Sequence, residues 1–186
     1  MNYIIFDLEA TCWPREDAAT QDHPNEIIEI GAVKLDAEYR RVGEFARFVR
    51  PRLHPVLSDF CRELTTITQT DIDGAEDFPT VLADFRTWIS DNDTVPYRLC
   101  SWGFYDRKQL RQDCDLHGLD RRWLKHHISV KHQYARLNAL ERPIGMGMAL
   151  EREGLTLEGT HHRGIDDARN IARIFERYAG RWKAPK

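Results

Sequence analysis

The chain has 186 residues, 41% of them apolar and 31% charged, with 27 Lys and Arg against 30 Asp and Glu. That length suits one domain with its own core, burying roughly 70% of the unfolded surface without staples. No run approaches 18 uninterrupted apolar residues and no basic start precedes an apolar stretch, so neither a membrane span nor a secretory leader is expected.

The first element, "YIIFDLEAT", reads as a buried strand that ends in acids. "CWPREDAATQDHPN" is polar with two prolines and reads as a loop. "EIIEIGAVKLD" is rich in β-branched residues, a second strand, and "RRVGEFARFVRP" alternates apolar and charged positions up to Pro51, a third. A short polar turn joins strands two and three, so they are expected to be antiparallel. "SDFCRELTTITQTDIDGA" mixes a short helix with a turn. In "DFPTVLADFRTWISDN", Val81, Leu82, Phe85, Trp88 and Ile89 give a helix its apolar face, with Pro79 in the first turn.

"YRLCSWG" is a short strand, "YDRKQLRQDCDLHG" a helix closed by Gly118, and "HHISVKHQYARLN" a strand running into a helix. "GMGMALEREG" is a short helix ended by Gly154. The clearest helix is "GIDDARNIARIFERYAG", where Ile165, Ala168, Ala172, Phe175 and Ala179 recur at helical spacing. The order predicts an α/β fold with a mixed sheet. It is expected to be one domain over 1–180, followed by a basic tail over 181–186.

Cys12, Cys61, Cys100 and Cys114 include no C-x-x-C pair, so reduced thiols and a cytoplasmic setting are expected. Charge is divided unevenly. Residues 1–96 hold 9 Lys/Arg against 19 Asp/Glu, and residues 97–186 hold 18 against 11. This is either a metal-collecting side and a phosphate-facing side, or a mixed solvated surface.

Residues two apart on a strand share a face, so Asp7 and Glu9 project together. Two such carboxylates raise each other's pKa unless a cation lies between them, and hard divalent ions prefer these oxygens. The alternative is two solvated acids at a strand end. Asp106 follows a later strand, where it is either a further ligand or a helix N-terminal acid. Asp167 lies on the last helix, and Asp166 beside it points about 100° away. His162, five residues before Asp167 across Gly164, is placed to reach over the same site. Otherwise His161 and His162 are surface residues.

In this order, the D-x-E, the Asp after a strand and the final H-x4-D resemble the three motifs of the DEDDh 3′→5′ exonucleases. "FDLEATC", "EIIEIGAV", "LTTITQ", "SWGFYD" and "GTHHRGIDDARNIARI" are most similar to the Eri-type exoribonuclease branch. The resemblance runs from about Tyr3 to Arg177. It implies a ribonuclease-H-like fold, a five-stranded mixed β-sheet flanked by α-helices. It also implies that Asp7, Glu9, Asp106 and Asp167 bind two divalent cations, Mg²⁺ or Mn²⁺, with Glu9 and His162 catalytic and His162 the general base.

The implied reaction removes nucleoside 5′-monophosphates from single-stranded nucleic-acid 3′ ends, RNA favoured over DNA. A DNA-directed 3′→5′ trimming or proofreading exonuclease is the alternative, and a non-catalytic nucleic-acid-binding module of the same fold is the alternative from another class. The expected substrate contacts are Thr11, Trp13, Thr65, Ile67 and Phe104, whereas Trp102 and Tyr105 are expected to pack. Arg107, Lys108, Arg121, Arg122, Lys125 and Arg163 are candidates to meet phosphates. Two departures stand out. Thr66 replaces the glycine of the family's L-T-G-I. The chain is also expected to be too short for the added RNA-binding modules of larger relatives, so either a protein partner guides it or it acts on simple 3′ ends.

Overall fold

Alternation along the first apolar run sets the architecture. In the computed structural model, which describes residues 1–18, 22–90 and 95–183, β1 (Asn2–Ala10) turns Ile4, Phe6 and Leu8 to one side and Ile5, Asp7 and Glu9 to the other. β2 (Ile27–Leu35) pairs antiparallel with β1, and β3 (Arg41–Phe48) antiparallel with β2. On the other side of β1, β4 (Tyr97–Ser101) and then β5 (His127–Ser129) add in parallel. The sheet order is β3-β2-β1-β4-β5, the five-stranded mixed sheet that was expected.

Among the described residues, eight helices surround the sheet: α1 (Arg15–Ala18), α2 (Asp59–Thr65), α3 (Gln69–Asp73), α4 (Phe78–Ser90), α5 (Tyr105–Leu116), α6 (Val130–Leu137), α7 (Met146–Arg152) and α8 (Gly164–Arg177). Some features depart from the sequence reading. The stretch read as a short helix with a turn holds two helices, α2 and α3. The stretch read as a loop after β1 contains the short α1, and a 3₁₀ turn at Arg122–Lys125 precedes β5. The helix expected over 77–92 reaches Ser90, and its last two positions lie outside the described residues.

Each face of the sheet carries its own core. Ile4, Phe6 and Leu8 pack with Val81, Leu82, Phe85 and Ile89 of α4 and with Leu110 and Cys114 of α5. Ile5, Val33 and Leu35 pack with Ala168, Ile171, Ala172 and Phe175 of α8. Burying one such Ile or Phe contributes about 1.5–3 kcal/mol. A third cluster, Ile28, Leu57, Cys61, Ile67 and Ile72, sits beneath α2 and α3. Ala179, expected on the α8 stripe, lies beyond the helix and is exposed, whereas Tyr178 is buried. The expected tail also begins later than 181. Trp182 is buried, stacks on Phe175 at 4.5 Å and donates to its carbonyl at 2.8 Å. Lys183 exchanges two hydrogen bonds with the Gln133 side chain.

Candidate active site

The buried run Ile4–Phe6 fixes the direction of β1, which leaves Asp7 and Glu9 on the α8 face at the strand's C-terminal end. Across the ladder, Asp7 faces Gly31 and Glu9 faces Glu29. Gly31 allows α8 to approach, since a Cβ there would lie 2.1 Å from the Gly164 carbonyl carbon. The first residue of α8 thus rests on the backbone of β1 and β2. Glu29, buried, accepts the Gly164 N–H at 3.0 Å and pairs with Arg163 at 3.1 Å. This carboxylate satisfies an otherwise orphan donor at the helix N-terminus and suits its dipole.

Three residues into α8, Asp167 comes over Asp7 and Glu9. Oxygens of these three carboxylates lie within 4.8 Å of one another. Asp166 turns away to accept the Thr160 N–H at 2.9 Å and to pair with Arg169. Asp106, on the first turn of α5 beyond β4, is buried and completes the acidic set. Ahead of α8, the His162 backbone turns to φ 63° and its N–H donates to Asp167 Oδ2 at 3.1 Å. His161 Nδ1 lies 3.0 Å from the same oxygen, and the two imidazoles stack at 4.0 Å.

These acids share one field. Burial first, then the charges of Asp106, Glu9 and Asp167, raise Asp7 well above the usual carboxylate range. Burial and then Asp167 and Glu29 push Glu9 up to about 9. Burial pushes Asp106 up to about 6, against hydrogen bonds from Ser101 and backbone amides. His162 is lowered, by burial and then by His161, against the pull of Asp167. The imidazole therefore stays neutral at pH 7 and keeps a lone pair to accept a proton.

The group opens into a cavity of about 420 Å³, whose walls include Leu8, Trp102, Gly103, Tyr105, Lys131 and Met146. A cavity of about 470 Å³ at the opposite end of the strands, by Met1 and Tyr97, has no acid in its lining among the described residues.

The RNase_T exonuclease family matches residues 4–175. The chain belongs to this exonuclease family. Within it, the chain falls in the DEDDh, Eri-type branch. It is 34% identical to human 3′-5′ exoribonuclease 1, over 95% of this chain and 52% of that one. It is 32% identical to ERI1 exoribonuclease 2 of Xenopus laevis, over 94% of this chain and 28% of that one. The chain thus spans between about a quarter and a half of these relatives. The structure of the nuclease domain of 3′hExo, a DEDDh family member bound to rAMP, superposes with a TM-score of 0.89 at 31% identity. That match covers 100% of this chain and 96% of the other.

Asp7, Glu9, Asp106, His162 and Asp167 all line the cavity of about 420 Å³. The donor set fits the divalent ions that the family implies. It offers hard carboxylate oxygens, crowded and buried, whose mutual repulsion a cation removes. The expected substrate contacts do not join the cavity. The Thr11 hydroxyl accepts the Glu26 N–H, and Thr65 Oγ1 donates to the Cys61 carbonyl. Thr65 and Ile67 are both fully buried, so their side chains have no surface to offer a ligand. Trp13 packs edge-on against His54, and Phe104 is 41% exposed beside His132.

Tyr105, expected to pack, is 53% exposed at the cavity rim, while Trp102 both packs on Tyr134 and lines the cavity. Sequence reasoning missed Glu29, Lys131 and the contact of His161 with Asp167. Lys131 follows the end of β5 as Asp106 follows β4. The carboxyl ends of parallel strands are where α/β sheets place ligands, and that signal was available.

Proposed function

We propose that this chain hydrolyses the terminal phosphodiester at RNA 3′ ends, releasing nucleoside 5′-monophosphates. The observation that carries this reading is the convergence of Asp7, Glu9, Asp106 and Asp167 with His162 in one cavity. Asp7, Glu9, Asp106 and Asp167 would hold two divalent cations, Mg²⁺ or Mn²⁺. When bound, such ions polarise the phosphate and offset charge on the attacking and departing oxygens. Neutral His162 takes the proton of the attacking water, a role worth roughly 10²–10⁴ in rate. Asp167 holds that loop by accepting the His162 N–H. Lys131, in the cavity wall, supplies positive charge for the phosphate.

Similarity to proteins named exoribonucleases and to a relative bound to rAMP supports RNA over DNA. The 2′-hydroxyl would make the distinction. The test is a 5′-labelled single strand, as RNA and as DNA of matched sequence, with Mg²⁺ or EDTA. A ladder shortening from the 3′ end, faster on RNA and absent in EDTA, is expected. Binding without shortening in Mg²⁺ would overturn the reading in favour of a non-catalytic module, and faster loss of DNA would move the substrate class.

A further inference from the structure

We propose that the groove between α5 and the 3₁₀ turn is a second nucleic-acid subsite, holding phosphates of the strand upstream of the 3′-terminal residue. The inference rests on the exonuclease reading above and extends it to the body of the substrate. The groove, about 340 Å³, is lined by Arg107, Arg111, Arg121, Arg122, Leu124 and Lys125. Among the described residues, five of these six side chains are cationic and none is acidic. Asp115 pairs with Arg121 at 2.6 Å and Asp120 with Arg122 at 2.9 Å. Arg111 and Lys125 make no ion pair among the described residues.

Arg107 lies with its guanidinium over the Phe104 ring at 5.7 Å, and its Nε is buried without a hydrogen-bond partner among the described residues. Gathering like charges costs repulsion that a polyanion relieves.

The groove is also connected to the chemistry. Arg107 directly follows Asp106 on α5, and Arg111 stands one turn further along the same helix. Tyr105 lines the cavity, and its neighbour Phe104, half-exposed, lies against the Arg107 guanidinium of the groove. A strand with its 3′ end in the cavity would lay a base on Phe104 and its next phosphates along Arg107, Arg111 and Lys125. Exposed rings beside a basic track are the usual means of holding a single strand without reading its sequence. This also gives a use to the positive half of the chain.

The test compares the wild type with the Arg111→Gln/Lys125→Gln variant on oligonucleotides of 3 and 15 nucleotides that share a 3′ end. Turnover is followed in Mg²⁺, and binding of the labelled 15-mer by anisotropy with Ca²⁺ in its place. The variant should raise KM and Kd for the 15-mer fivefold or more and leave the 3-mer within twofold. The slope of log Kd against log salt should fall by about 1.4, roughly 0.7 for each lost phosphate contact. Unchanged affinity for the 15-mer would overturn the proposal and leave the groove to another partner, such as an acidic protein. Equal loss on both lengths would overturn it too. Absence of any shortening would sink the exonuclease activity, while anisotropy would still judge the groove.

Discussion

Gly31 and Gly164 meet backbone to backbone, with room for no side chain between them. A Cβ on Gly31 would lie 2.1 Å from the Gly164 carbonyl carbon, and one on Gly164 would lie 3.1 Å from the Asp7 carbonyl oxygen. This contact sets the height of α8 above the sheet, and so the position of Asp167 above Asp7. Gly31→Ala should force the helix away. We expect destabilisation of about 1–3 kcal/mol and at least a tenfold loss of nuclease turnover, read by denaturant unfolding and an RNA-shortening assay. Gly43→Ala is the control, since its Cβ would meet Trp88 at an ordinary 3.6 Å. If Gly31→Ala behaves like Gly43→Ala, the contact does not set the site.

The acids should reveal themselves by opposite effects on stability and on activity. Asp7→Asn, Asp106→Asn and Asp167→Asn each remove a carboxylate from a crowded group, and repulsion among these acids contributes to the raised pKa of Asp7. In EDTA at pH 8, Asp7→Asn should melt no lower than the wild type. With Mg²⁺ all three should lose most of the metal's stabilisation and nearly all turnover. His162→Ala should keep the metal effect on melting yet lose roughly 10²–10⁴ in kcat. Wild-type turnover in His162→Ala would remove it as the base, and unchanged Mg²⁺ stabilisation would remove a carboxylate from the site.

Much of this site was legible because its elements obey simple periods. A spacing of two on a strand put Asp7 and Glu9 on one face, and the 100° step of a helix separated Asp166 from Asp167. What stayed hidden depends on pairing. Glu29 looks like any charge in "EIIEIGAV", and only the register opposite Glu9 shows it buried beneath the start of α8. The hydroxyls of Thr11 and Thr65 pose a related difficulty. A hydroxyl engaged by a nearby backbone group and one offered to a ligand look alike in sequence, and both are engaged here. Trp182 looked like part of a tail because its partner Phe175 lies two turns back on a helix whose end the sequence marks poorly.

Stability should depend on pH in a direction set by Glu9 and Asp106. Both are raised in the folded chain, to about 9 and about 6, above unfolded values near 4. A carboxyl that is neutral when folded and ionised when unfolded favours folding below its unfolded pKa. That advantage disappears as pH rises through the folded value. In EDTA, Tm should therefore fall between pH 5 and pH 9. Mg²⁺ binds the ionised carboxylates, so it should raise Tm more at pH 8.5 than at pH 5.5. A melting profile in EDTA that is flat or rising over this range would show that Glu9 and Asp106 are not buried as the structure has them.

Thr66 offers the last test. It caps α2 at φ 60° and ψ 7°, a left-handed conformation, with its N–H donating to the Arg62 carbonyl at 2.9 Å. This backbone suits glycine, and a β-branched residue there bears a cost of roughly 1–2 kcal/mol. The loop has thus kept a glycine-like path despite the side chain. Thr66→Gly relieves that strain but frees the unfolded chain, so a net gain of roughly 1 kcal/mol is expected. For a chain of this size that raises Tm by about 2–4 °C. Thr66→Ala keeps the strained φ and should gain much less. The pair also separates backbone from bulk in catalysis. If KM for RNA falls in both variants, the Thr66 side chain was obstructing the substrate. If it falls only in Thr66→Gly, backbone freedom was limiting. An unchanged or lower Tm in Thr66→Gly would contradict the left-handed cap itself.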